Sequence, residues 1–144
     1  MTVVSILQHK GREVVTIAPG ATIAEVTEVL GAKGIGAVLV VDSLRQLLGI
    51  VSERDIVRSL RANGARTLEM TAGQLMTRAL QTATPRTTAA EAMRMMTIGR
   101  FRHIPVLENG ELVGLISIGD VVKARIMEQE SEVDSLKAYI AGSA

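Results

Sequence analysis

GELVGLISIGDVVKAR, Gly110–Arg125, passes from a strand-like segment into a helix-like one. RQLLGIVSERDIVRSL, Arg45–Leu60, does the same. Both carry Gly, Ser and Asp at one spacing, G-x-x-S-x-x-D. The first set is Gly49, Ser52 and Asp55, the second Gly114, Ser117 and Asp120. A motif written twice in 144 residues makes an internal repeat the first thing to test.

The match extends outward from the motif. Thr16, Pro19, Thr22, Ala24, Glu25 and Val40 are met 66 positions on by Thr82, Pro85, Thr88, Ala90, Glu91 and Val106. Leu47 meets Leu112 at an offset of 65. The slip falls where DSLRQ (42–46) faces ENGE (108–111), a turn, where length changes are tolerated. Two copies of so long a period predict a pseudo-two-fold pair, not a solenoid.

Each copy reads β-α-β-β-α. VVTI (14–17) is a short β-rich run. ATIAEVTEVLGAKG (21–34) spaces Ile23, Val26, Val29 and Leu30 as a helix does, with Pro19 before it and Gly34 after it. AVLVVD (37–42) and QLLGIVS (46–52) read as strands. ERDIVRSLRANG (53–64) predicts a helix with Ile56, Val57 and Leu60 inward and Gly64 as its cap. In the second copy Asn109-Gly110 is a strong hairpin signal, and Val38–Val41 and Ile104–Leu107 are expected to be buried. EAMRMM (91–96) places Met93 and Met96 at core spacing, so packing accounts for them. TLEMTAGQLMT (67–77) links the copies and is expected to hold a short helix resembling TVVSIL (2–7). The last helix runs past the length of its counterpart. Val122, Ile126, Gln129, Val133, Leu136 and Ile140 alternate steps of four and three, a heptad seam that Gly142 is expected to end. The seam fits packing on its own domain and packing on a partner subunit.

Composition narrows the function. The hydrophobic fraction is 47%, enough for a core, and the net charge is +1, so no strong field draws the chain to nucleic acid or an anionic membrane. There is no Cys, which removes disulfides, thiolate metal sites and Cys nucleophiles. Phe101 and Tyr139 are the only aromatics, too few for a base-stacking platform. The N-terminus lacks a signal-peptide pattern and no run has membrane-spanning length, so a soluble cytoplasmic protein is expected. His9 and His103 are the only histidines and belong to no metal-ligand motif. Neither G-x-G-x-x-G nor a Walker-type loop occurs, and Ser117 and His103 form no recognisable nucleophile–base set. No catalytic residue and no metal is expected, and an enzyme is disfavoured.

Ser52 and Ser117 stand where strand gives way to helix. Ser caps helix N-termini, and an acid three residues on completes a capping-box-like pair, which is a purely structural reading. The functional reading uses the same geometry. A helix start offers N–H groups and a positive dipole end to a phosphate. An Asp one turn in accepts hydrogen bonds from vicinal hydroxyls such as those of a ribose. Arg100, Arg102 and His103 add cationic capacity in an otherwise balanced chain. A lone His beside a strand is also commonly just a hydrogen-bonding surface group. Gly119 lets a phosphate approach the backbone closely. Glu53 at the other helix start repels phosphate, with Arg54 as its offset.

GIGAVLVVDSLRQLLGIVSERDIVR (34–58) and GRFRHIPVLENGELVGLISIGDVVKAR (99–125) resemble the two halves of a CBS-domain pair, the Bateman module. The resemblance covers nearly the whole chain, and SERD with the C-terminal stretch is similar to stand-alone bacterial members. It implies an α/β fold, a tandem repeat of two β-α-β-β-α units with pseudo-two-fold symmetry plus a long C-terminal helix. The division implied is 1–66 for the first domain, 67–128 for the second and 129–144 for a helical extension.

The resemblance further implies a regulatory module that binds adenosyl ligands in clefts between its domains. AMP or NAD(H) comes first, with ADP, ATP and S-adenosylmethionine as further members of the class. One site would take Asp120, Ser117, Ile116 and Gly119, with Arg102, His103 and Arg100 near phosphate and Thr16, Ile17, Gly36 and Ala37 around the base. The second would take Asp55, Ser52 and Arg54, with Thr82, Ala83 and Phe101 opposite. GIGAVLV in the first copy lacks the His and Pro of RHIPVL in the second, so the sites are expected to differ, with the Asp120 site the stronger. The resemblance also implies a homodimer formed through 53–62 and 118–128, and a regulated protein that it leaves unnamed. The rival from another class is a ligand-independent scaffold with vestigial sites.

Overall fold

Short β-branched runs and capped amphipathic helices settle the elements of a computed structural model that describes residues 1–143. Ala144, the last residue of the expected C-terminal extension, lies outside the described residues. In chain order they are α1 (Val3–Lys10), β1 (Thr16–Ile17), α2 (Ile23–Lys33), β2 (Ala37–Val41), β3 (Leu47–Ser52) and α3 (Glu53–Asn63). A 3-10 turn (Gly64–Glu69) and α4 (Ala72–Leu75) follow, then α5 (Ala89–Gly99), β4 (His103–Glu108), β5 (Glu111–Ser117) and α6 (Ile118–Ser143). Two compact units divide the chain. One holds Met1–Arg12, Thr82–Leu107 and Gly114 onward, the other Glu13–Gln81 with Glu108–Val113.

The unit of the first repeat is a three-stranded sheet in the order β1-β2-β3. β1 runs parallel to β2 and β3 antiparallel to it, with Ala37 opposite Ser52 and Leu39 opposite Ile50. Val38, Val40 and Val51 pack with Ile23, Val26 and Leu30 of α2 and Ile56 of α3. Thr22 caps α2 by accepting the Glu25 N–H, and Gly34 ends it in the left-handed region. On α3 the inward face differs from expectation. Val57 is 63% and Leu60 44% exposed, while Ser59 is buried. The hydroxyls of Ser59 and Thr67 meet at 2.8 Å and Asn63 donates to Ser59, so the small polar residue fits inside with its needs met.

The second repeat is built the same way with local changes. β4 and β5 form a two-stranded sheet. Asn109 and Gly110 both take positive φ at its turn, the combination a two-residue type I′ hairpin requires. The counterpart of β1 is reduced to a single parallel bridge, Ala83 to Val106. Ile104, Val106, Ile116, Val121, Ala92 and Met96 are buried. Val41 and Leu107, at the ends of their runs, are only half-buried. α1 and α5 pack against α6, and α6 continues through Gly142 to Ser143, past the end expected for it.

The segment in front of each repeat belongs to the other repeat's unit. Val3 and Val4 donate N–H bonds to the carbonyls of Thr87 and Pro85, and Ala89 donates to Met1. At the matching positions Ala72 and Gly73 donate to Ala21 and Pro19, and Ile23 donates to Met70. TVVSIL and TAGQLM are thus equivalent docking segments, and the short helix expected within 67–77 is α4. A boundary at 66 follows the sequence duplication, and packing cuts the chain elsewhere.

Candidate functional site

The G-x-x-S-x-x-D motif is a junction in each unit. A Cβ on Gly49 would lie 2.7 Å from the Thr77 carbonyl oxygen and 2.8 Å from Met76 Sδ. A Cβ on Gly114 would lie 2.7 Å from Leu7 Cδ2. The glycines therefore admit the docking segments, α4 with Thr77 in one unit and α1 in the other. The Ser and Asp form reciprocal capping boxes. Ser52 N–H donates to Asp55 Oδ2 at 2.8 Å, and Asp55 N–H to Ser52 Oγ at 3.4 Å. Ser117 N–H donates to Asp120 Oδ2 at 2.8 Å, and Asp120 N–H to Ser117 Oγ at 3.2 Å. Just inside each helix, Glu53 N–H donates to the Gly36 carbonyl and Ile118 N–H to the Arg102 carbonyl, again matched positions.

The two junctions part company at the carboxylate. Thr77 pairs with β3 through both backbone bonds to Ile50, and its hydroxyl donates to Asp55 Oδ1 at 3.1 Å. In the other unit one side chain does both jobs. Lys10 Nζ donates to the Leu115 carbonyl at 2.9 Å and to Asp120 Oδ2 at 2.6 Å. Burial alone would raise the Asp120 carboxyl, but the Lys10 ammonium and the Ser117 N–H outweigh it and hold it below the ordinary carboxylate range. Both partners keep solvent access, with 21% of the Asp120 side chain and 35% of the Lys10 side chain exposed. Sequence reasoning missed Lys10. No repeat position flags it, because Thr77, which does the same work in the other unit, bonds Ile50 through backbone and Asp55 through a hydroxyl.

Around Asp120, the same unit holds Ile116, buried, Ser117, half-buried, and Gly119, exposed. It also holds Arg100, Phe101 and Arg102 between α5 and β4, His103 at the start of β4, and Thr82 and Ala83 ahead of α5. Arg100 ends α5 at φ 57°, in the left-handed region that Gly34 occupies at the matching position. A Cβ on Gly99 would lie 2.0 Å from the Phe101 ring, so a side chain there would displace the ring. The other unit holds Thr16 and Ile17 on β1, Gly36 and Ala37 at the start of β2, and Ser52, Arg54 and Asp55 at the start of α3. Among the described residues no group of three His, Cys, Asp or Glu side chains is placed to hold a metal, and no helix is long and apolar enough to cross a membrane.

A duplicated strand-to-helix junction carrying a Ser–Asp capping box is the feature to compare with other proteins. The CBS domain family matches residues 10–62 and 72–126. The chain belongs to the CBS-domain family. A CBS-domain-containing protein of Agrobacterium tumefaciens has the same fold at a TM-score of 0.85, with 46% identity over 87% of this chain and 99% of that one. The mitochondrial CBS domain-containing protein CBSX3 of Arabidopsis thaliana is 38% identical over 84% of this chain and 61% of its own length. The CBS pair thus spans about three fifths of that relative, and only 22% of another Arabidopsis CBS protein, CBSCBSPB2. CBSX2, whose structure is in complex with AMP, is 26% identical over 89% of this chain and 98% of that one, at a TM-score of 0.71.

Proposed function

We propose that this CBS pair is a regulatory module that binds an adenosyl nucleotide, with the ribose and phosphate half of its main site at the Asp120 junction. The observation that carries the reading is the Asp120 carboxylate, ionised and partly exposed at the N-terminus of α6. An ionised carboxylate with room beside it accepts from both hydroxyls of a ribose. The helix start, Arg102, His103 and Arg100 supply the complement to a phosphate. CBSX2 with AMP supports the ligand class. AMP and NAD(H) are preferred over ATP because few cationic groups converge, and S-adenosylmethionine stays within the class. The Asp55 junction is the weaker site, since Glu53 stands beside it with Arg54. The module acts by population shift, favouring the arrangement that binds ligand more tightly. Its output passes to a regulated protein, not to chemistry at the site.

The module is further proposed to act as a homodimer. Val57 and Leu60 on α3, and Val122 and Ile126 on α6, expose apolar surface that a second copy would cover. Static light scattering at micromolar concentration should give the dimer mass, and a monomer would refute it.

One observation favours the rival scaffold reading. Gly, Ser and Asp of the motif all have structural work in the junction without any ligand. Thermal unfolding with AMP, ADP, ATP, NAD(H) and S-adenosylmethionine separates the readings. A ligand at ~100 times its dissociation constant should add about 2.7 kcal/mol of stability. An unmoved unfolding temperature with every member supports the scaffold.

A further inference from the structure

α6 has two lives along its length. Its first turns bury Val121 and Ala124, and Glu128 pairs with Arg125 and with the N-terminal ammonium. From Gln129 through Gly142 every residue is exposed. Local propensity adds little to a helical stretch of that length, and packing of an apolar face is the usual source of helix stability. The face it offers is ordered. Ile126, Val133 and Ile140 take the a positions of a heptad, and Val122, Gln129 and Leu136 the d positions. Val133 is 50% and Leu136 60% exposed.

We infer that the partner is the same helix of a second copy, and that the two form a parallel, in-register coiled coil. Three features select this geometry. β-branched Ile126, Val133 and Ile140 at a with Leu136 at d suit two parallel strands, and Gln129, the one polar residue of the seam, meets its own copy only when the pair is parallel and in register. The flanking charges then decide direction. In a parallel pair each g residue faces the e residue five positions on in the other helix. Arg125 thereby meets Glu130 and Glu132 meets Lys137, all attractive. The antiparallel alternative that lays Ile126 on Leu136 sets Glu132 against Glu132, Glu130 against Glu130 and Lys123 against Lys137, all repulsive. A parallel pair is also isologous and closes on itself without growing into a filament.

The inference rests on the homodimer proposed above and assigns it a direction and a register. The chain has no Cys, so single cysteines report geometry cleanly. Leu136→Cys places a thiol at a d position, which faces itself across a parallel seam. Ser131→Cys places one at an outward f position. Full-length variants are oxidised gently and run on non-reducing gels, with light scattering on the reduced samples. Leu136→Cys should cross-link several-fold more than Ser131→Cys. Adding Glu132→Lys should lower that yield, and adding Lys137→Glu to the pair should restore it. Equal yields at 131 and 136, or a dimer by scattering that cross-links only when Ile126→Cys accompanies Leu136→Cys, overturn the parallel coil and leave the dimer standing. A monomer by scattering overturns both.

Discussion

Lys10 and Asp120 show how much one side chain can alter a repeated site. The lowered Asp120 carboxyl means that its contribution to stability is present above the ordinary carboxylate range and is lost as pH falls through the folded value. Lys10→Met should therefore flatten the acid limb of the stability profile. The loss at neutral pH should be on the order of 1 kcal/mol or less, because both side chains keep solvent access. Urea denaturation from pH 7 down to pH 3 measures it, and a variant with an unchanged acid limb contradicts the assignment. Gly49 makes a sharper case. A methyl there meets the backbone carbonyl of Thr77, which cannot swing aside. Gly49→Ala should cost roughly 1–3 kcal/mol as an overpacked contact, read by the same denaturation. Arg100 adds a test of the phosphate reading. It holds a left-handed backbone at a cost of about 1–2 kcal/mol that Gly escapes. Arg100→Gly should leave the unfolding temperature unchanged or raised while weakening AMP, and equal AMP affinity would remove Arg100 from the site.

Elements were legible where two signals agreed. α2 has helical apolar spacing, a Thr cap and a terminal Gly, and it forms as read. The Asn109-Gly110 turn follows from backbone demands that few residues meet. α3 was misread because Val57 and Leu60 outrank Ser59 in hydrophobicity. The choice was made by partners distant in sequence, Thr67 above all, which satisfy Ser59 inside. The docking segments were visible as a likeness between 2–7 and 67–77, but their crossing to the opposite repeat's unit was not. That crossing depends on backbone bonds no local pattern encodes. The caps themselves are testable. Ser117→Ala should destabilise by ~0.5–2 kcal/mol through loss of the acceptor for the Asp120 N–H, and equilibrium denaturation would show it.

For the whole molecule, the duplication fixed fold and family together, because matched order in both copies leaves few alternatives. The ligand was less legible. The same Ser and Asp cap a helix whether or not a nucleotide binds, so the motif reports a junction first and a site second. The direct test is a calorimetric titration of AMP into the full chain and into Asp120→Asn. The amide keeps an oxygen for the Ser117 N–H and removes the charge. The parent should bind saturably, and the variant should lose about 1.5–3 kcal/mol of binding free energy, the scale of hydrogen bonds to a charged acceptor. Asp120→Asn binding AMP as tightly as the parent would contradict the account.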